Sequence, residues 1–408
     1  MEKFILSKNK ITIVFFVFAF GYFLSTLLRA ITATLSPVLT AEFNLSASEL
    51  GLLAGGYFIG FASMQIPLGY LLDQHGPKKI VSSFLLIAII GSVVFALSES
   101  FTSLLIARVL IGVGVSACLM GPLTGYRIWM ADEHMQRGNS WMLMVGSIGM
   151  LSSTLPIQLL LPIYGWRSIF FGLALLTLIC ITLIFLNSPN WFNKRKDKAS
   201  EIKKEGSLKI VWKSDYFRSL IPMALFNVGG FYAVVTLWAG PWMIRVSGYS
   251  PVESATGLFE INIFMLFGYL IWGYINPKLL KLGYTANKLL MYGVPSTFIF
   301  LGLIVYLGPK AGAALWTAYC FCCIVLSLTQ PAVGLSFPTH LAGKALTSHN
   351  LLFFVGIFIL QWGIGFIIDF TQTLGYSEIF GFRVAIFILL VLNILSYLYF
   401  IFKNRKKL

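Results

Sequence analysis

Arg29 lies within ITIVFFVFAFGYFLSTLLRAITATLS, a run that carries no other charge. A guanidinium at such a depth is costly to place against lipid, so it faces a watery cavity and marks a site. Arg29 sits about 6 to 9 Å from the middle of that run at 1.5 Å per residue, too deep to snorkel. Tyr22, Ser25, Thr26 and Thr32 share a helical stripe with it at spacings of three, four and seven. The chemistry on offer is a permanent cation with a planar fork for two oxygens. A structural arginine paired with a carbonyl or an interior acid is the plainer alternative. Glu260 is the one carboxylate well inside an apolar run, and it reads equally as a proton-coupling site or as a counter-ion.

No nucleophile, base and orienting group can be assembled from the sequence, so an enzyme is not expected. Cys118, Cys180, Cys320, Cys322 and Cys323 all fall inside apolar runs, and CFCC lacks the spacing of a metal site. His340 and His349 are too far apart for a helical metal pair. GYLIWG and GVGVSACLMG sit inside apolar runs and read as packing faces, not phosphate loops. No metal or cofactor is therefore expected.

The elements that must hold Arg29 and Glu260 follow from composition. Hydrophobic residues make up 58% of the 408-residue chain and charged ones 11%. A soluble protein with that balance would have an apolar surface, so the chain is an all-α membrane protein in a lipid bilayer. Apolar runs of spanning length fall at roughly 11–36, 49–72, 80–98, 103–126, 139–161, 167–187, 218–241, 253–275, 289–307, 312–335, 347–369 and 380–402. These twelve helices divide into a bundle over residues 1–187 and another over 218–408. Between them, 188–217 is the longest polar stretch and reads as a linker too short and charged to fold.

The net charge of +15 is explained by topology. With the amino terminus inside, 24 of the 30 Lys and Arg residues fall on the cytoplasmic side. Both termini and the linker are then cytoplasmic, and no basic soluble domain is left for nucleic acid. The amino-terminal MEKFILSKNK precedes an apolar run without a small-residue cleavage site, so it reads as a retained first helix.

The stretch GYLLDQHGPKKI, Gly69 to Ile80, is a short charged hinge between the second and third runs. It resembles the signature loop of the major facilitator superfamily of transporters: Gly69, then Asp73, then Gly76, then the basic pair Lys78 and Lys79. Gln74 stands where a basic residue is usual. The resemblance implies the major facilitator fold, two pseudo-symmetric six-helix bundles. Gly273 in GYINPKLLKLG repeats Gly69 in the second bundle, with Pro277 where Asp73 has its counterpart. In this reading Asp73 gates the cytoplasmic mouth by capping the eleventh helix, with Arg127 as its partner. Asp369 and Glu378, at the outer ends of the eleventh and twelfth helices, read as solvated.

From Arg29 to Pro37 and on through FNLSASELGLLAGGYFIGFASMQIPLGYLLD, the chain resembles the organic-anion:cation symporters and the organophosphate transporters. That resemblance implies Arg29 as the anchor for a substrate carboxylate or phosphate. Relatives of the galactonate type carry an Asp before this arginine, whereas here the residue is Leu28. Arg108 in ARVLIGVGVS matches the RxxxGxG pattern of the fourth helix, which the relatives use in substrate binding or proton coupling. It lies near the outer end of its run and could instead reach the interface; Val115 stands where an acid can follow. Tyr57, Gln65, Asn227, Tyr232, Trp238, Gln330, Asn350 and Gln361 fall in helices that line the cavity in this superfamily. Together they suggest a moderately polar pocket with aromatic walls.

The expected function is secondary active transport of a small organic anion, a carboxylate or phosphate ester, across a bacterial inner membrane by alternating access. Proton-coupled import follows from the resemblance, and a monomer is the default. Efflux of drugs or of a metal-chelating metabolite is the alternative within the class. A transporter-like ligand sensor is the alternative outside it, with the short linker against it.

Overall fold

The computed structural model describes residues 6–130, 132–190 and 208–405. Residues 191–207, the centre of the expected linker, lie outside the described residues. Helices account for nearly all of what is described, because a backbone in lipid must satisfy its own N–H and C=O groups. Ten helical runs among the described residues are long and apolar enough to cross a bilayer.

The chain divides into two compact units, one of Met1–Leu35 with Gly56–Ala199, the other of Ser36–Gly55 with Ser200–Leu408. The first unit draws on α1 (Lys8–Phe43), α2 (Ala47–Ser63), α3 (Gln65–Ala96), α4 (Phe101–Val115), α5 (Ala117–Trp129), α6 (Asp132–Ser152) and α7 (Leu155–Asn187). Two of these helices are double. At Gly76 (φ 76°, ψ 165°) and Gly165 (φ 71°, ψ 158°) the backbone leaves the helical region for one that residues with a side chain rarely adopt. Divided there, α2 with the first part of α3 forms the second span and the rest of α3 the third. Likewise α6 with the first part of α7 forms the fifth span, and the rest of α7 the sixth. The twelve expected spans are thereby recovered.

Within this unit α3 packs on α4, α5 and α7. Glycines set the closest approaches: a Cβ at Gly112 of α4 would lie 2.0 Å from the Tyr57 carbonyl oxygen, and one at Gly60 would lie 2.3 Å from that of Val109. Main chain therefore touches main chain between α2 and α4, in the small-residue packing of membrane helices.

The second unit takes the end of α1 and the start of α2. It continues with α8 (Leu208–Lys213), α9 (Asp215–Pro222), α10 (Gly229–Ala233), α11 (Ala239–Arg245), α12 (Pro251–Lys281), α13 (Ala286–Leu307), α14 (Ala313–Cys322), α15 (Thr329–Leu335), α16 (Thr339–Thr373) and α17 (Glu378–Asn404). The seventh span is wound as π-helix at Met223–Val228 and Val234–Trp238, and the tenth as 3₁₀-helix at Cys323–Leu328. Such departures loosen the hydrogen-bond ladder of a helix and recur at functional segments. The start of α2 lies against α16 with almost nothing between them: a Cβ at Gly51 would meet the Gln361 carbonyl oxygen at 2.2 Å, and one at Gly365 that of Ala47 at 2.1 Å.

An internal repeat is visible at the helix starts. Ser46 and Glu49 form a capping box at the start of α2, the Ser46 N–H donating to Glu49 Oε2 (2.9 Å) and the Glu49 N–H to Ser46 Oγ (3.2 Å). Ser250 and Glu253 do the same for α12, at 2.8 and 3.2 Å. Both positions are displaced by 204 residues, the displacement that relates Gly69 to Gly273.

Candidate functional site

In the first unit α1, α2 and α4 converge on two arginines. Tyr57 and Phe61, one turn apart on α2, stack with ring centroids 6.1 Å apart and planes 25° from parallel. The Arg108 guanidinium lies 5.2 Å from the Tyr57 centroid, and that of Arg29 lies 5.5 Å from the Phe61 centroid. The result is a ladder of cation, ring, ring and cation, and each ring face attracts its guanidinium where water is scarce. Tyr57 is itself fixed, since its hydroxyl donates to the Ser25 carbonyl at 3.1 Å.

Arg108 is fully buried and sits in the body of α4, which corrects the expectation that it could reach the interface. Its Nη1 donates to the Leu28 carbonyl at 2.8 Å, while Nε and Nη2 have no hydrogen-bond partner among the described residues. Leu28 thus supplies through its main chain a neutral acceptor where relatives of the galactonate type carry an acid. Arg29 is 9% exposed. The hydroxyls of Ser25 and Thr26, on the same stripe, are turned to carbonyls of Val115, Tyr22 and Phe23. From Gly56 to Asn187 the sequence has carboxylates at Asp73, Glu99, Asp132 and Glu133, all at the ends of helical runs. Among the described residues the interior of this bundle is cationic with no acid of its own.

The expected site residues of the second unit are largely occupied by one another. Trp238 Nε1 donates to the Gln361 carbonyl at 3.0 Å, and Gln361 Nε2 to Thr236 Oγ1 at 3.0 Å. Both side chains are buried, so they tie the seventh span to α16. Asn227 Nδ2 donates to the Asn393 carbonyl (3.2 Å) and to Ser396 Oγ (2.5 Å) on α17. Gln330 Nε2 donates to Asn350 Oδ1, joining α15 to α16. Gln330 is exposed and Tyr232 partly so, with the Tyr232 ring 5.4 Å from that of Phe353. Glu260 is exposed on α12, along a stripe that continues through Phe264, Phe267 and Ile271.

Of the loop residues, Gly69, Asp73, Lys79 and Arg127 are exposed, and Gly76 is the break in α3. Lys78 reaches Asn190 Oδ1 at 3.4 Å and lies 5.0 Å from the Phe185 ring centroid. The chief surprise is Asp369 of α16. Its Oδ1 accepts from the Ala47 N–H at 3.0 Å and its Oδ2 from the Ser48 N–H at 2.7 Å, so it caps α2 and is not simply solvated. The capping residues of FNLSASEL mark where α2 starts, but no local pattern could reveal a carboxylate more than three hundred residues away. His349, expected to bind no metal, is buried, with neither ring nitrogen hydrogen-bonded among the described residues.

Comparison with known proteins agrees with this architecture. The chain is 23% identical to the "Probable sulfoacetate transporter" of Cupriavidus necator over 79% of its own length and 78% of the relative's. It is 24% identical to the cis,cis-muconate transport protein of Acinetobacter baylyi over 80% of each chain. A crystal structure of a bacterial homologue of the human lysosomal transporter Spinster superposes with a TM-score of 0.77, covering 98% of both chains at 17% identity, and shares the fold. Residues 18–360 match the family model of the Major Facilitator Superfamily, and the chain therefore belongs to that superfamily as a membrane transporter and not an enzyme.

Proposed function

We propose that this protein carries a small organic anion, a carboxylate or a phosphate or sulfonate analogue, across a bacterial inner membrane by alternating access. Arg29 is the anchor for the anion and Arg108 holds the segment that presents it. The observation that carries this reading is the ladder of Arg29, Phe61, Tyr57 and Arg108 in a bundle with no buried carboxylate among the described residues. Two desolvated cations favour an anionic ligand over a neutral or cationic one. Relatives named for sulfoacetate and muconate, both small organic anions, support it.

Tyr57, Tyr232 and Gln330 are the further candidates for substrate contact; Asn227, Trp238 and Gln361 shape the pocket through the bonds that occupy them. Import against an inside-negative potential needs a second driving force, and co-transported protons supply it, with Glu260 as the coupling carboxylate. Both termini are cytoplasmic, as the Lys and Arg distribution favours. Asp73, with Gly69, Gly76, Lys78, Lys79 and Arg127, gates the cytoplasmic mouth.

The test is binding and uptake by the purified, reconstituted protein. Sulfoacetate, muconate, hexuronate and lipophilic cations are screened by thermal shift on wild type and Arg29→Ala. Stabilisation by an anion that disappears in the variant is expected. Stabilisation by lipophilic cations that survives in the variant reassigns the protein to efflux.

A further inference from the structure

Four N–H groups at the start of any α-helix lack an internal acceptor. At the start of α2 these belong to Ser46, Ala47, Ser48 and Glu49, and the capping box deals with Ser46 and Glu49. Ala47 and Ser48 remain, and Asp369 takes one with each carboxylate oxygen. A carboxylate there also meets the positive end of the helix dipole. The repeat explains why this position needs an acid: at the start of α12 the counterpart of Ala47 is Pro251, which has no N–H to satisfy. The end of the fifth span that corresponds to Asp369, LPIQLLLPIYGWR, correspondingly contains no carboxylate.

At Gly51 and Gly365 main chain rests on main chain, so the start of α2 and α16 meet there largely through backbone, with Trp238 alongside Gly51. A cavity of about 580 Å³ opens beside the cap, bounded by Thr40, Leu50, Trp238, Arg245, Gln372 and Glu378. Leu50, one turn into α2, is 6% exposed at its wall.

We propose that Asp369 and the Ala47 and Ser48 N–H groups form a latch that closes the outer face of the transporter and must open once in each cycle. It rests on the alternating-access reading above and extends it. Asp73, proposed above as the gate of the cytoplasmic mouth, lies toward the other end of the second span. Each half of the chain then contributes one carboxylate, Asp73 where the second half has Pro277 and Asp369 where the first half has none. Engagement of one latch accompanies release of the other.

The test uses Leu50→Cys as a reporter in right-side-out vesicles, with a membrane-impermeant maleimide and the native cysteines as background. Asp369→Asn and, separately, Ala47→Pro are added. Proline is compatible with the first turn of a helix, so Ala47→Pro removes one latch bond while leaving Asp369 in place. Both variants are expected to raise the alkylation rate at least fivefold, and Glu378→Gln in the same cavity to leave it unchanged. Unchanged rates in both folded latch variants, beside a wild type that carries an anion, overturn the latch. Raised rates beside a wild type that carries no anion support the latch and remove the substrate reading.

Discussion

The Arg108 Nη1 donates to the carbonyl of Leu28, the residue before Arg29, at 2.8 Å. One arginine thus holds the turn of α1 that presents the other, and the two need not do the same work. Main-chain anchoring by a buried cation is demanding, because its remaining N–H groups are desolvated whether or not they are paired.

Replacing Arg108 separates fold from function. Arg108→Met removes a buried charge of similar length, so the melting temperature in detergent is expected to hold or rise, as it does when buried charges give way to apolar packing. Anion uptake in proteoliposomes is expected to fall more than tenfold, because the turn bearing Arg29 loses its support. Retained uptake by a folded variant rules out the positioning role.

Arg29→Ala removes the proposed anchor directly. A lost charge-assisted fork costs about 2–3 kcal/mol, roughly 30- to 150-fold in affinity. Calorimetric titration with whichever anion stabilises the wild type reads this, and an unchanged dissociation constant sinks the anchor.

Gly112→Ala places a methyl group 2.0 Å from the Tyr57 carbonyl oxygen. Main chain cannot swing aside as a side chain can, so α2 and α4 must part, at a cost of about 3 kcal/mol or more. A lower unfolding midpoint is expected, with loss of uptake because Tyr57 shifts under Arg108.

Trp238→Phe deletes the donor to the Gln361 carbonyl while keeping the ring within the aromatic cluster of Phe382 and Trp242. About 1 kcal/mol of stability should go, with substrate affinity changed less than threefold. A large affinity loss without destabilisation would falsify the packing role and make Trp238 a ligand contact.

His349→Leu is expected to stabilise. A 1%-exposed imidazole without a hydrogen-bond partner among the described residues is a cost to folding, about 1–2 kcal/mol on replacement by an apolar side chain. Chemical denaturation of the two proteins decides it; a destabilised variant points to a ligand or water held by the ring.

Much of this protein was written locally. Twelve apolar runs and the depth of Arg29 follow from hydropathy and the period of one helix, since lipid imposes the same demand on every segment. Gly76 announced the turn between two spans because it stands in a charged hinge. What the sequence could not contain was the company each side chain keeps. That Arg108 bonds a carbonyl and not an acid, that Phe61 completes a ladder, and that Gln361 spends its amide on Thr236 depend on how helices distant in the chain are apposed. Asp369 makes the point most sharply: by local pattern it is a helix-end acid in water. It becomes a cap because glycines at positions 51 and 365 bring the start of α2 within reach, and Ala47 and Ser48 present two N–H groups that nothing nearby in sequence satisfies.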